Sequence, residues 1–523
     1  MKPRIVADRE DDLVAPPGGA VRDITDEERQ AGMRWMVWDG ILATNMGVLT
    51  GGIFLTGFAL LLGVGETAIG LLAGLPRFSA LMQPVGAYFV ERLRMRKTIS
   101  VWVFGPARAL WLLVLILPLL GYHGGPSRLG FVILSVVVTL SSLMAGFAAV
   151  SWLAWMADLI PERVRGVFFG RRTMLAGGIS ALVGFLAGKF VDLWEARYGD
   201  QNAQGFLIVF AVALICGMGS WYTLVRCPEP PIEPGRSTRQ TPNYLLLLRA
   251  AWTDPNFRIF LIHSFALTFG VWVASPFLSV YMIKVLELPY WLMGIFSAVT
   301  SLGTLLTVQF WGRLTDHFGN RPVMLFCLLG ASAAPLMWMA STPGLWWPLL
   351  PAHFIGGLSW AGVTLARMNL VFKISPEEHK SVYIGLSSAL DALPALFAPL
   401  IAGAFLQHTA TVSFEAGGFD FTNYHWVFLA SGLLRFASIP LFRAVQEPKS
   451  RRVLHMVRVL SHIRSVNPVL GLQYYFHVVS DATARRARRT RRAMRRAVIQ
   501  MRRRERDRRR RKRLALMRKR ARR

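Results

Sequence analysis

The chain has 523 residues, 53% of them hydrophobic and 17% charged, with a mean hydropathy of +0.39 and a formal net charge of +30. That balance excludes an ordinary soluble globular protein, which carries far more charge for its size, and assigns the chain to a lipid bilayer. Cys216, Cys227 and Cys327 are too few and too scattered for a disulfide frame or a metal cluster, so free thiols are expected.

Residues 1–36 hold eight acids and six bases and show no cleavable signal peptide, so the first apolar run is expected to act as an uncleaved insertion signal. Thr25 followed by Glu28 has the spacing of a capping box and predicts a polar helix leading into that run. Twelve apolar runs follow, at about 37–62, 67–90, 98–120, 129–158, 173–190, 205–225, 259–283, 290–312, 322–340, 345–372, 381–407 and 424–444. Each reaches the roughly 20 residues a helix needs to cross about 30 Å of hydrocarbon. The predicted fold is an all-α integral membrane protein of 12 transmembrane helices in two pseudo-symmetric six-helix bundles, 37–225 and 259–444. A linker (226–258) joins them and a basic tail (445–523) follows.

The loops after the even-numbered runs carry 17 Lys plus Arg, whereas the alternate loops hold only Arg128, Lys189, Arg197 and Lys284. Basic loops stay on the cytoplasmic side, so both termini are expected there, in a cytoplasmic (inner) membrane. Net charge is concentrated in the tail. Its 28 bases against 4 acids give +24, leaving +6 for residues 1–444.

The two halves repeat one plan. GRLTDHFGNRPV (312–323) has a degraded copy, AYFVERLRMRKT, 225 residues earlier, with Glu91 matching Asp316 and Arg96 matching Arg321. Pro161-Glu162, Arg165 and Gly170 recur 215 residues later as Pro376-Glu377, Lys380 and Gly385, and Ala187-Gly188 as Ala402-Gly403. Internal duplication of this kind is a signature of transporter folds.

These motifs carry a family resemblance over about residues 35–444. GRLTDHFGNRP, between runs 8 and 9, resembles the cytoplasmic signature loop of the major facilitator superfamily (MFS), and PERVRGVFFGRR after run 4 looks like that superfamily's usual loop there. The copy after run 2 departs from the pattern: Gly86 lies five residues before Glu91, and Arg94 or Met95 replaces the second glycine. The resemblance implies two bundles rocking about a central site, with helices 1, 4, 7 and 10 lining the cavity. It also implies a conformational latch, assigned here to Gly312, Arg313, Asp316 and Arg321 with Glu91 and Arg96 in the first half. The alternative reading makes the same charges anchors at the membrane surface. Drug–proton antiporters of the superfamily usually carry a glycine-proline motif on helix 5, and LAGGISALVGFLAG lacks the proline, which counts against multidrug export. Gly184 and Gly188 there predict close helix packing.

Ionisable groups inside a bilayer are costly unless paired or hydrated, so each is a candidate. Arg77 in run 2 and Asp391 in run 11 both fall about 15 Å deep at 1.5 Å per residue. The superfamily arrangement makes an Arg77–Asp391 pair geometrically feasible, as a coupling element or a structural contact. Arg108 in run 3 and Arg435 in run 12 are read as turning inward or snorkelling, with structural roles ahead of substrate contact. His263 in run 7 is a candidate proton relay or a hydrogen-bonded structural residue. Trp360, Thr364 and Arg367 share one face of run 10, and Trp152 and Trp155 one face of run 4; these five and Asn45 are the cavity candidates, with helix packing as the competing reading. Asp39, beside Trp35 and Trp38, reads as an interfacial anchor. The excess of arginines in the interior points to an anionic substrate.

Neither a Walker A sequence nor a nucleophile elbow is present, so no enzyme activity and no cofactor are expected, and an ion gradient, H+ or Na+, or the substrate's own gradient supplies the energy. SRRVLHMVRVLSHIRSV (450–466) has the mixture of an interfacial helix on anionic lipid, and the Arg-rich stretch after Ala484 lacks any nucleic-acid recognition motif. The functional expectation is secondary active transport of a small organic solute by a monomer. A rival of another class is a non-transporting membrane receptor or scaffold that recruits anionic lipid or partners through the tail.

Overall fold

The computed structural model describes residues 24–93, 95–231, 249, 251–376, 380–416, 419–447 and 456. The chain separates into Met1–Ser450 and Arg451–Arg523, and the architecture below is that of the first unit. Expectations for the tail, and for most of the linker, lie outside the described residues.

The capping box forms: Glu28 N–H donates to Thr25 Oγ1 at 3.2 Å and Thr25 N–H to Glu28 Oε2 at 2.9 Å. It opens α1 (Asp26–Leu49), which resumes after a short break as α2 (Gly52–Leu61). Run 2, expected as one helix, is three pieces: α3 (Glu66–Gly74), a 3-10 turn (Leu75–Phe78) and α4 (Ser79–Leu93). Pro76 lacks the N–H that would continue the ladder, so the break falls at Arg77. Run 3 is also segmented, into α5 (Arg96–Ala109), α6 (Leu112–Leu115) and a 3-10 turn (Leu117–Leu120) that holds Pro118.

Longer helices follow. They are α7 (Arg128–Leu159), α8 (Glu162–Tyr198), α9 (Gln204–Arg226), α10 (Pro255–Lys284), α11 (Tyr290–Phe318), α12 (Asn320–Trp338), α13 (Leu349–Ile374), α14 (Lys380–His408) and α15 (Asn423–Ala444). Among the described residues, 11 helices are long and apolar enough to cross a membrane, and broken run 2 is not one of them. A hairpin not foreseen in the sequence, β1 (Ser413–Ala416) with β2 (Phe419–Thr422), joins α14 to α15; Phe414 pairs in register with Phe421 and their rings stack at 5.0 Å.

The described ends of α4, α7, α9, α11 and α13, at Leu93, Leu159, Arg226, Phe318 and Ile374, follow alternate crossings of the bundle and adjoin the basic loop residues of the sequence; this end is called the basic face. In the N-terminal half α1 packs on α8 and α9 and α7 on α4 and α5; in the C-terminal half α10 packs on α14 and α15 and α13 on α11 and α12. The halves meet along two seams, α3 on α14 and α8 on α11. The duplication is visible in both. A Cβ on Gly403 would lie 2.6 Å from the Glu66 carbonyl oxygen, and one on Gly188, its repeat partner, 2.7 Å from the Tyr290 carbonyl. Gly70 meets the Pro399 carbonyl closer still by the same measure, and Gly294 meets Phe185 Cα at 3.1 Å. Both seams need glycine because backbone touches backbone there.

Beyond the glycines, the end opposite the basic face is closed by polar contacts between the halves. Lys284 Nζ donates to Glu66 Oε1 at 2.7 Å, the Tyr424 hydroxyl to the same oxygen at 3.1 Å, and Thr67 Oγ1 to Gln407 Oε1 at 2.6 Å. At the other seam Asp192 accepts the N–H groups of Tyr290 and Trp291 at 2.7 and 2.9 Å.

Candidate functional site in a cavity between the halves

A cavity of about 610 Å³ lies between the segment around Arg77 in the N-terminal half and α10, α13 and α14 in the C-terminal half. Its lining runs from Arg77, Trp272, Trp360 and Ala395 to Phe372 and Ile384, close to the basic-face ends of α13 and α14. The cavity extends toward the basic-face ends of α13 and α14, and beyond Arg77 and Ala395 at its other end lie the α3–α14 glycine contacts and the polar contacts of Glu66 and Thr67.

The best-connected group in the wall is Asp391. Arg367 forms an ion pair with its Oδ2 and also donates to Ser387 Oγ at 3.1 Å. Ser264 Oγ donates to Asp391 Oδ1 at 3.0 Å and Thr268 Oγ1 at 3.4 Å. The carboxylate thus receives donors from two neighbouring helices, which is how a charge persists away from bulk water. Asp391 is not paired with Arg77, because Arg367 lies one helix away in its own half and reaches it first. Arg77 instead holds its guanidinium 4.2 Å from the centre of the Trp272 ring and has no carboxylate partner among the described residues. Trp272, Thr268 and Ser264 recur every four residues on α10, a stripe that helical spacing alone makes legible in the sequence.

The other sequence candidates scatter. Trp360, Thr364 and Arg367 do line the cavity. Trp155 does not: it is wholly buried and its indole N–H donates to the Pro228 carbonyl at 3.0 Å. Trp152 lies outside the cavity lining, beneath the Arg172 guanidinium at 5.0 Å. Asn45 is buried in α1 away from the cavity. His263 is fully buried, with Nδ1 2.8 Å from the Ser438 carbonyl and its ring against Phe442, so it belongs to α10–α15 packing. Arg435 turns inward and donates to the Ala331 carbonyl at 2.8 Å; it does not snorkel.

Asp39 is a correction. It is 3% exposed, not interfacial, and accepts Arg172 Nη2 at 3.0 Å and Ser220 Oγ at 2.6 Å, with Arg108 Nη2 3.9 Å away. Arg108 therefore serves this cluster inside the N-terminal half.

At the basic face Arg96 pairs with Asp158 at the end of α7. Its counterpart Arg321 donates its backbone N–H to Glu447 Oε2 at 2.7 Å and Nη2 to the Arg443 carbonyl at 2.5 Å. Glu447 also accepts Asn320 N–H at 3.1 Å and Lys373 Nζ at 3.0 Å, and so ties the start of α12 to the ends of α13 and α15. Arg313 and Asp316 are exposed, Gly312 is half-buried, and Asp316 has no ion-pair partner among the described residues. Glu91 lies near the end of α4.

The profile of the Major Facilitator Superfamily matches residues 40–308 and 292–480. The chain belongs to that superfamily. Relatives match over shorter stretches: the "Major facilitator-type transporter psiT2" of Psilocybe cyanescens at 28% identity over 138 residues, and the "Staphyloferrin B transporter" of Staphylococcus aureus at 26% over 163. A class C tetracycline resistance protein of Escherichia coli matches at 32% over 110 residues. These stretches span 26%, 30% and 21% of this chain and only 25%, 38% and 27% of the relatives. Among solved structures, the nucleoside transporter NupG superposes with a TM-score of 0.58 at 12% identity, covering 80% of this chain and 99% of that one. The inward-open xylose transporter XylE from E. coli gives 0.56 at 14%, covering 82% and 99%. The superfamily fold accounts for the duplicated halves and places the cavity at their boundary.

Proposed function

We propose that this integral membrane protein is a secondary active transporter that moves a small organic anion by alternating access, with its basic loops and both termini in the cytoplasm. The single observation that supports this best is the cavity wall: Arg77 without a carboxylate partner, facing the Arg367–Asp391 pair across the boundary between the halves. A cation exposed beside an aromatic face, with no counter-ion, is a ready partner for an anion, and Trp272 and Trp360 supply apolar surface for an organic body. On this reading the structure is the inward-facing state, open at the basic face.

The ion arrangement favours H+ over Na+ as the coupling ion. Asp391 is surrounded by donors, Arg367, Ser264 and Thr268, so a metal cation has to displace an arginine, whereas a proton only has to neutralise the carboxylate. The test is flux of radiolabelled organic anions, amines and neutral analogues into proteoliposomes under imposed pH and Na+ gradients. Uptake of anions driven by the pH gradient, and retained after deletion of residues 450–523, supports the reading. Flux of amines alone, or no flux with any solute class, overturns it and leaves the receptor or scaffold.

A further inference from the structure

We propose that the Arg77–Trp272 stack is a substrate-released contact between the halves: an anion entering the cavity draws Arg77 off Trp272 and so loosens the floor that separates the cavity from the opposite face. The proposal rests on the anionic reading of the same site.

Position supports it. Arg77 belongs to the N-terminal half and Trp272 to the C-terminal half, so their contact joins the two bodies that must separate. Both stand at the deep end of the cavity. One turn further on Gly74 meets Leu396, and a second turn on Gly70 meets Pro399, the first rungs of the α3–α14 seam. Arg77 also sits in the 3-10 turn between α3 and α4, where the chain re-aims more easily than inside a continuous helix.

Chemistry supports it too. A guanidinium on an indole face keeps all five N–H groups available, because the contact uses the ring's electron density and not an acceptor oxygen. A carboxylate or phosphate offers those N–H groups the charge-assisted bonds that the indole does not. Arg367 is already occupied by Asp391. Arg77 is therefore the cation in the wall that is open to an anion, and taking it removes a contact between the halves only when substrate is present.

The test uses full-length purified protein carrying Leu396→Cys in the α3–α14 seam on a Cys216→Ala background, labelled with a hydrophilic maleimide, with benzoate as probe and benzamide as its neutral control. Trp272→Leu is expected to raise ligand-free labelling on the order of tenfold, with Trp272→Phe intermediate. Benzoate but not benzamide is expected to raise labelling of the otherwise unaltered protein, and to add less than about twofold in Trp272→Leu and in Arg77→Gln. Unchanged ligand-free labelling in Trp272→Leu overturns the proposal whatever the substrate. Thermal stabilisation by benzoate without increased labelling leaves the anionic reading standing and overturns the release. Failure of benzoate to bind at all, with labelling raised in Trp272→Leu, overturns the anion's part and reduces the stack to a static contact.

Discussion

Asp192, near the end of α8, caps the first turn of a helix in the other half of the protein: its carboxylate accepts the N–H of Tyr290 at 2.7 Å and of Trp291 at 2.9 Å. The first N–H groups of a helix lack intrahelical partners and favour negative charge. The N-cap of α11 is Pro289, which has no side-chain acceptor, so α11 depends on the opposite half for its cap.

Asp192→Ala is therefore expected to weaken closure at that end by about 1–2 kcal/mol. Maleimide labelling of an engineered cysteine in the α8–α11 seam is the readout. An increase of on the order of tenfold is expected, with Asp192→Asn smaller because the amide oxygen still accepts one N–H. No change would mean that the cap does not contribute to closure.

Gly403→Ala places a methyl 2.6 Å from the Glu66 carbonyl oxygen, and neither backbone can yield without separating α3 from α14. The variant is expected to shift toward the state closed at the basic face, read as reduced labelling of a cysteine engineered at Thr364 in the cavity wall. Gly385→Ala, where an added Cβ meets open space, is the control and is expected to leave labelling unchanged.

Asp391→Asn removes the charge that holds Arg367 while keeping the shape and one acceptor. A stability loss of about 1–3 kcal/mol is expected, since Arg367 loses its counter-ion in a partly exposed wall. Transport driven by a pH gradient is expected to fall at least about tenfold while ligand exchange at equal pH persists. Equal loss of both would place Asp391 in binding and not in coupling.

Glu447 sets a pH dependence outside the membrane spans. Burial pushes its carboxyl up, but the N–H groups of Arg321 and Asn320, Lys373 Nζ and the Asn320 amide outweigh that and hold it below its ordinary value of 4.5. A carboxyl with a depressed folded-state value contributes stability that is fully present above the ordinary value and is lost as pH falls through the lowered one. Glu447→Gln is expected to cost about 1–2 kcal/mol at pH 7 and progressively less below about pH 4.5, measured as melting temperature against pH. A gap that stays constant across that window would refute the assignment.

Trp155→Phe loses the bond from its indole to the Pro228 carbonyl but fills most of the same volume. A melting shift equivalent to about 1 kcal/mol is expected, with solute affinity unchanged. A change in affinity would return Trp155 to the cavity.

Much of the plan is legible in the sequence. The repeat aligns Ala187-Gly188 with Ala402-Gly403, and the structure adds that Gly188 and Gly403 each meet backbone of the other half, one at each seam. The stripe Trp360, Thr364 and Arg367 was readable because helical spacing alone puts three residues on one face, and that face lines the cavity. The equivalent stripe on α7 lies outside the cavity: Trp155 is as periodic as Trp360, but periodicity does not say which side of a helix meets a neighbour and which meets a void. The burial of Asp39 is hidden from the sequence for a related reason. Beside Trp35 and Trp38 it looks interfacial, and only the approach of Arg172 and Ser220, more than 130 residues away in each case, makes it buried.

Sequence by itself determined the solvent, the duplication, the close packing at Gly188 and which charges fall inside the apolar runs, because these follow from hydropathy, spacing and repetition along one chain. Tertiary structure decided which arginine holds Asp391, what Arg77 rests on, and which end of the cavity is closed. Those depend on distances of about 3–4 Å between segments far apart in the chain, where one helix's rotation exchanges a partner for a void.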